Sequence, residues 1–307
     1  MSSPSEVAAS VRASWRAFLS TCEPLRGDLF RYCRHLTRSP WDAEDLVQDT
    51  LARAFATLAN LPEGFPNPRA WLFRVASNLW LNRLEHEGKA RTVDARELAV
   101  SPEPRAPREA AGTLISQLSP QERAAVVLKD VFDLSLLEIA EALSTTPGAI
   151  KAALHRGRGK LVEPPQDELP LPARPVLDAF CSAMNAGDLD ALTELLLDNA
   201  IVETPGVRID SGAEAAKHGT LHGLVHGCSD GPAGVSVPRA ELRSHRGEPV
   251  ILCWRSEGGG REEVYELLRL ELEGDRVAHV RVFFHAPELV AEVCEELQVP
   301  YRPQRYA

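Results

Sequence analysis

Proline sets the outer limits of what this chain can fold into. Two stretches, "VSPEPRAPREAAG" at 100–112 and "EPPQDELPLPARP" at 163–175, mix proline with charge and carry no hydrophobic period. Proline fixes φ and lacks the N–H that a helix or a central strand needs, so both stretches read as extended connectors. They divide the chain into a segment at 15–90, a linker at 91–112, a segment at 113–163, a second linker at 164–173 and a segment at 174–307. A chain of 307 residues has room for two or three domains of ordinary size.

The first segment reads as all-helical. In "SPWDAEDLVQDTLARAFATLANL", Ser39 is an N-cap and Pro40 occupies the first helical position, with acids following at the positive end of the helix. Val47, Leu51, Ala54, Phe55 and Leu58 recur at helical spacing, while Asp42, Asp45 and Asp49 line another face. After "LPEGFPNP" a second helix, "RAWLFRVASNLWLNRLEHEGK", turns Trp71, Val75 and Leu79, with Leu72, inward and Arg74, Asn78, Asn82 and Arg83 to a polar side. Trp80 and Trp71 are expected mainly in the core, because aromatics at helical spacing usually pack.

The second segment is punctuated more sharply. Ser119 with Glu122, and Ser135 with Glu138, have the spacing of two capping boxes. They open helices with Ala124, Val127, Leu128 and Val131, then Leu136, Ile139, Ala140 and Leu143, on their buried faces. A turn "STT" leads to Thr146 and Pro147, which start a third helix with Ile150, Ala153, Leu154 and Leu161 inward. Its outer face carries Lys151, His155, Arg156, Arg158 and Lys160, and no acid occurs between Ser144 and Val162. A basic helix face is often only a solvated face, but two short helices joined by a tight turn, the second free of acids, outline a helix-turn-helix. Gly157 and Gly159 stand where helix formers would serve better, each at a cost of up to ~1 kcal/mol relative to Ala, so that end is expected to fray.

Charge separates the two halves. Residues 1–163 hold 21 Lys+Arg and 20 Asp+Glu, whereas the remainder holds 13 and 24, giving the net −10. The six cysteines are scattered without a C-x-x-C pair, which argues against a disulfide framework or a zinc knuckle. The N-terminal residues lack the basic segment and apolar run of a secretory signal, and no 18 apolar residues run together, so a cytoplasmic protein is expected, with no membrane partner.

Two stretches, "DAEDLVQDTLARAF" and "NPRAWLFRVASNLWLNRL", resemble region 2 of sigma-70-type transcription initiation factors, and "LSPQERAAVVLKDVFDLSLLEIAEAL" with "TPGAIKAALHRGRGKL" resembles region 4. The short connection between them is similar to that of the small extracytoplasmic-function (ECF) group. The resemblance implies two all-α domains, core RNA polymerase and promoter DNA as partners, and no cofactor. It implies that Asp45, Gln48 and Asp49 contact polymerase. It places Asn60, Asn67, Arg74, Asn78 and Arg83 near the −10 element, whose bases are captured unstacked. Thr146, Lys151 and His155 would then lie nearest the bases of the −35 element, with Arg156, Arg158 and Lys160 on phosphates.

The last segment begins with two helices around a Gly-Asp turn, then a strand. Later come three strand-like runs, in "EPVILCWRSEG" and "EVYELLRLELEGDRVAHVRVFFHA", separated by hairpin signals at "EGGGRE" and "EGDR". Helices followed by an antiparallel sheet make an α+β domain. The pattern resembles the SnoaL-like cone fold carried as an extension by some sigma factors, which implies regulation in cis. That regulation would involve "SEGGGREE" and a pocket or loop with Trp254, Gly258, Gly259, Gly260, Arg261 and His285. The amphipathic helix in "FFHAPELVAEVCEELQVPYR" would reach the sigma regions. A small apolar ligand is a candidate switch. An enzyme reading would use Asp210, His218, His222, His226, His285 and Trp254 as polar pocket groups on a protein merely targeted to DNA, although no matching catalytic pair is evident. The i, i+4, i+8 histidines of "KHGTLHGLVHGC", with Cys228, suggest a metal site that Gly219, Gly223 and Gly227 argue against.

Overall fold

The computed structural model describes residues 4–58, 67–97, 118–158, 175–226, 239–256 and 260–302. They fall into two units, Met1–Gln166 and Asp167–Ala307. The first is helical: α1 (Pro4–Thr37), α2 (Pro40–Leu58), α3 (Pro68–Glu97), α4 (Pro120–Asp130), α5 (Leu136–Ala142) and α6 (Pro147–Arg158). Proline opens α2, α3, α4 and α6, where its missing N–H would have had no partner. Side chains supply the caps. Ser39 Oγ accepts the N–H of Asp42 at 3.3 Å, Asn67 Oδ1 that of Ala70 at 3.1 Å, and Thr146 Oγ1 that of Ala149 at 3.2 Å. Both capping boxes form, each worth about 1 kcal/mol.

The α1–α3 core is built on Phe18, Leu29, Tyr32, Leu36, Leu46, Val47, Leu72 and Phe73. Tyr32 shares a 2.7 Å hydrogen bond with Ser77 across it. A buried Arg26–Glu44 ion pair ties α1 to α2. Burial raises the Glu44 carboxyl, with Arg26 and Gln48 pulling it back.

The inward stripe of α3 differs from expectation. Leu72, Phe73, Ala76, Ser77 and Trp80 are buried, whereas Trp71, Val75 and Leu79 are only half-buried. α3 is contacted by α1, α2, α4 and α5, so its buried band is wider than one amphipathic stripe and centred one residue on. Val131 is a second correction: it is the C-cap of α4 and 48% exposed, and the neighbouring Phe132 is buried in its place.

The second unit comprises α7 (Pro175–Ala186), α8 (Leu189–Leu195), β1 (Leu196–Thr204), β2 (Arg208–Ser211), α9 (Ala213–His218), α10 (Thr220–His226), β3 (Arg239–His245), β4 (Glu248–Arg255), β5 (Glu263–Glu273), β6 (Arg276–Phe283) and α11 (Pro287–Glu296). The strand order is β2-β1-β6-β5-β4-β3. The fold class is the expected one, two helical regions followed by an α+β domain, but the sheet is mixed and not antiparallel. β1 pairs with β6 in parallel, Val202 opposite Val280, because the chain returns to β1 only after a long excursion through helices and hairpins. Phe180, Met184, Leu192, Leu224, Ile251, Leu268 and Val280 share one core cluster. α11 packs on β5 and buries Leu289, Val290, Val293 and Cys294, so the apolar face expected to reach the sigma regions is used within its own domain.

Candidate nucleic-acid interface

α6 is held against α4 more closely than a side chain would allow. A Cβ on Gly157 would stand 2.7 Å from Val126 Cγ2 and 3.4 Å from Leu118 Cδ2. Gly157 therefore serves packing: the residue is buried against α4. Gly159 lies outside the described residues. Ile150, Ala153 and Leu154 fix the inner face of α6, which leaves Thr146, Lys151, His155 and Arg156 exposed. Arg156 Nε also donates to Glu122 Oε1 at 2.6 Å, so the carboxylate that caps α4 also braces α6. The Arg156 side chain stays 58% exposed. The Arg158 side chain and Lys160 lie outside the described residues.

In the first helical group, Asn67 caps α3, Asn78 is exposed, the part-exposed Arg74 stands 3.9 Å from Glu141 of α5, and Arg83 pairs with Asp49 of α2. Asn60 lies outside the described residues. Asp45 and Asp49 sit on the open side of α2, while Gln48 Nε2 donates to the buried Glu44 at 2.7 Å. The structure thus links Asp49 and Arg83, residues expected to face different partners.

In the second unit the polar groups expected to share a pocket differ in setting, and His222 and His226 on α10 bring their rings to 4.8 Å. Asp210 is buried and accepts the Thr220 N–H at 2.7 Å, the Thr220 hydroxyl at 2.6 Å and Arg208 Nε at 2.6 Å. Burial would raise its carboxyl, but these bonds outweigh it and hold it below the usual range. His218, His222 and His226 are exposed, and Gly219 breaks their helix into α9 and α10. Among the described residues no group of His, Cys, Asp and Glu could hold a metal ion, and Cys228 lies outside them. Trp254 is buried with Arg239 4.7 Å above its ring, and its Nε1 has no hydrogen-bond partner. His285 meets Phe284 edge-to-face at 4.5 Å, and Gly260 and Arg261 are exposed. Gly258 and Gly259 lie outside the described residues.

Two features escaped the sequence reading. Glu266 is buried opposite Cys253, hydrogen-bonded by Tyr265, and burial pushes its carboxyl up to about 7. Strand alternation of Val264, Glu266 and Leu268 would have flagged it. Phe132 follows a helix end, where helical period ceases to inform. Among the described residues no helix is long and apolar enough to cross a membrane.

Comparison with known proteins bears on these surfaces. Residues 22–90 match the family model for sigma-70 region 2, and residues 108–161 that for sigma-70 region 4. The ECF RNA polymerase sigma factor SigG of Mycobacterium tuberculosis is 29% identical over 309 residues, covering 87% of this chain and 80% of the relative. SigL of the same species is 30% identical over 135 residues, covering 41% of this chain and 76% of the relative. The crystal structure of Mycobacterium tuberculosis SigJ aligns with 87% of this chain and 96% of its own at 22% identity and a TM-score of 0.32. With both region matches in order on one helical unit and these relatives in sequence, the chain belongs to the ECF RNA polymerase sigma factors of the sigma-70 family.

Proposed function

We propose that this chain binds core RNA polymerase and directs it to initiate transcription at promoters, with the second unit modulating that activity from the same chain. The carrying observation is the ordered pair of region matches, the second coinciding with a capped helix-turn-helix that turns Lys151 and His155 to solvent on an acid-free helix. Thr146, Lys151 and His155 meet the −35 bases, and Arg156, Arg158 and Lys160 its phosphates. Asn60, Asn67, Arg74, Asn78 and Arg83 serve the −10 strand, and Asp45, Gln48 and Asp49 the polymerase.

A net charge of −10 gives the free chain little long-range attraction for phosphate, so polymerase supplies much of the promoter affinity. The acidic second unit is tethered to the basic α6 at high effective concentration and acts as an electrostatic shield, as a regulator and not as a catalyst. Trp254, Gly260, Arg261 and His285 mark where a small ligand would act on it.

Run-off transcription with purified core polymerase tests the reading, using the full chain, a chain ending at Glu163, and Lys151→Glu. The full chain should initiate, the truncation should be more active, and Lys151→Glu should lose at least about tenfold, the scale of one or two lost DNA contacts. Absence of initiation on every genomic promoter fragment, with the same polymerase competent beside another sigma factor, would overturn it.

A further inference from the structure

The two capping boxes of the helix-turn-helix are alike in form but differ in what their acids hold. Ser119 Oγ accepts the Glu122 N–H at 3.3 Å and the Ser119 N–H returns to Glu122 Oε2 at 3.0 Å. Ser135 and Glu138 repeat the exchange at 3.2 and 2.8 Å. Each cap occupies one carboxylate oxygen, Oε2. The other oxygen of Glu122 accepts Arg156 Nε at 2.6 Å, across 34 residues of chain. Among the described residues Glu138 bonds to no side chain of α6.

A cap by itself does not call for an acid, because glutamine closes a capping box as glutamate does. A carboxylate offers two acceptor oxygens, whereas an amide offers one and turns N–H donors the other way. Serving Ser119 and Arg156 together therefore requires the carboxylate. Its side chain is 8% exposed and stands at the positive end of α4, where a negative charge is favoured. Close seating of α6 fixes the distance between the partners: a Cβ on Gly157, the residue after Arg156, would lie 3.8 Å from the Glu122 carbonyl oxygen.

The shape of the guanidinium decides what this brace achieves. Its N–H donors lie in one plane, and a two-point contact uses either the Nε edge or the two Nη groups at the end. Glu122 occupies Nε on a side chain that stays 58% exposed, which leaves the Nη end for a second partner. Arg156 lies near the C-terminal end of α6, past the first residues that meet base edges in a helix-turn-helix. Resting on the assignment of α6 to the −35 element, we propose that Glu122 is a positioning residue for promoter recognition, holding Arg156 so that Nη1 and Nη2 together grip one backbone phosphate. Fixing this long side chain before DNA arrives removes an ordering cost from binding. The charge of Glu122 taken alone opposes DNA, so its removal has opposite effects under the two roles.

The test titrates a fluorescein-labelled duplex of random sequence with the full chain at several salt concentrations, because a phosphate contact is independent of sequence. Glu122→Gln keeps the cap and should weaken binding about two- to tenfold, the scale of freeing one long side chain. Glu138→Gln, the same exchange in the other box, should leave binding unchanged. Arg156→Ala should reduce the salt slope by about 0.9, one phosphate, and Glu122→Gln added to it should weaken binding no further. Arg156→Lys keeps the slope but cannot hold carboxylate and phosphate with one fork, and its loss of about two- to tenfold decides the matter if Glu122→Gln fails to fold by circular dichroism. Equal or tighter binding by folded Glu122→Gln overturns the positioning role, as does equal weakening with and without Arg156. An unaltered slope in Arg156→Ala, or no duplex binding by the unaltered chain at low salt, overturns the phosphate contact. Run-off transcription with core polymerase separates the two readings. Duplex affinities in the expected order with no initiation by any form sink the sigma assignment alone; initiation with Glu122→Gln indistinguishable from the unaltered chain sinks the positioning role alone.

Discussion

The helix-turn-helix of α4–α6 and the sheet of the second unit differ in how far along the chain their partners lie. Each capping box in the former closes over three residues, from Ser119 to Glu122 and from Ser135 to Glu138. The parallel pairing of β1 with β6 in the latter joins Leu196 to Val277 across more than half of the unit. Local rules therefore describe the helices almost completely, whereas the sheet depends on contacts that only the folded chain creates.

The largest effect should come from the non-local side. Phe180→Ala removes a fully buried ring from the core beneath the sheet and should cost about 3–5 kcal/mol, read as loss of hydrogen-exchange protection in β1, β5 and β6. Protection in α4–α6 should be unchanged if the comparison holds.

Glu266 sharpens the same contrast through pH. Its carboxyl is held at about 7 in the fold against an ordinary value of 4.5, because burial disfavours its charge. A raised folded value means the stabilisation is complete below about pH 4.5 and is lost as pH rises to about 7, by about 3 kcal/mol. Urea midpoints of the second unit should fall across that window, and Glu266→Gln should remove the slope.

Smaller effects belong to the helices. Gly157→Ala improves helix propensity by ~1 kcal/mol but forces Cβ against Val126, an overlap costing roughly 1–3 kcal/mol, so a net loss near ~1 kcal/mol is expected in thermal unfolding. A gain in stability would show that α6 can back away from α4. Ser135→Ala loses one cap and should cost about 1 kcal/mol, seen as fraying of α5 alone.

Legibility followed the same division. Ser119, Ser135 and Thr146 were readable as caps because a cap is a relation between residues three apart. Lys151 and His155 were readable as an outer face because Ile150 and Leu154 define the inner one. The buried band of α3 lies one residue beyond the stripe its sequence predicts, since a helix packed by four neighbours has no single stripe. Of the candidate site, the exposed basic helix was legible, whereas the Asp49–Arg83 pair was not, because 34 residues separate its partners.

What the sequence alone determined is the succession of elements: helices opened by proline and capped by serine, strands ended by glycine turns, and a basic helix in a chain of acidic balance. These follow from steric and hydrogen-bonding preferences that act within a few residues. The folded chain was needed to show that β1 lies parallel to β6, that Gly157 is a packing contact, and that Phe132 seats among Tyr32, Phe73 and two arginines. Each depends on which distant surfaces come together, and burial and desolvation are properties of that assembly, not of any short stretch of chain.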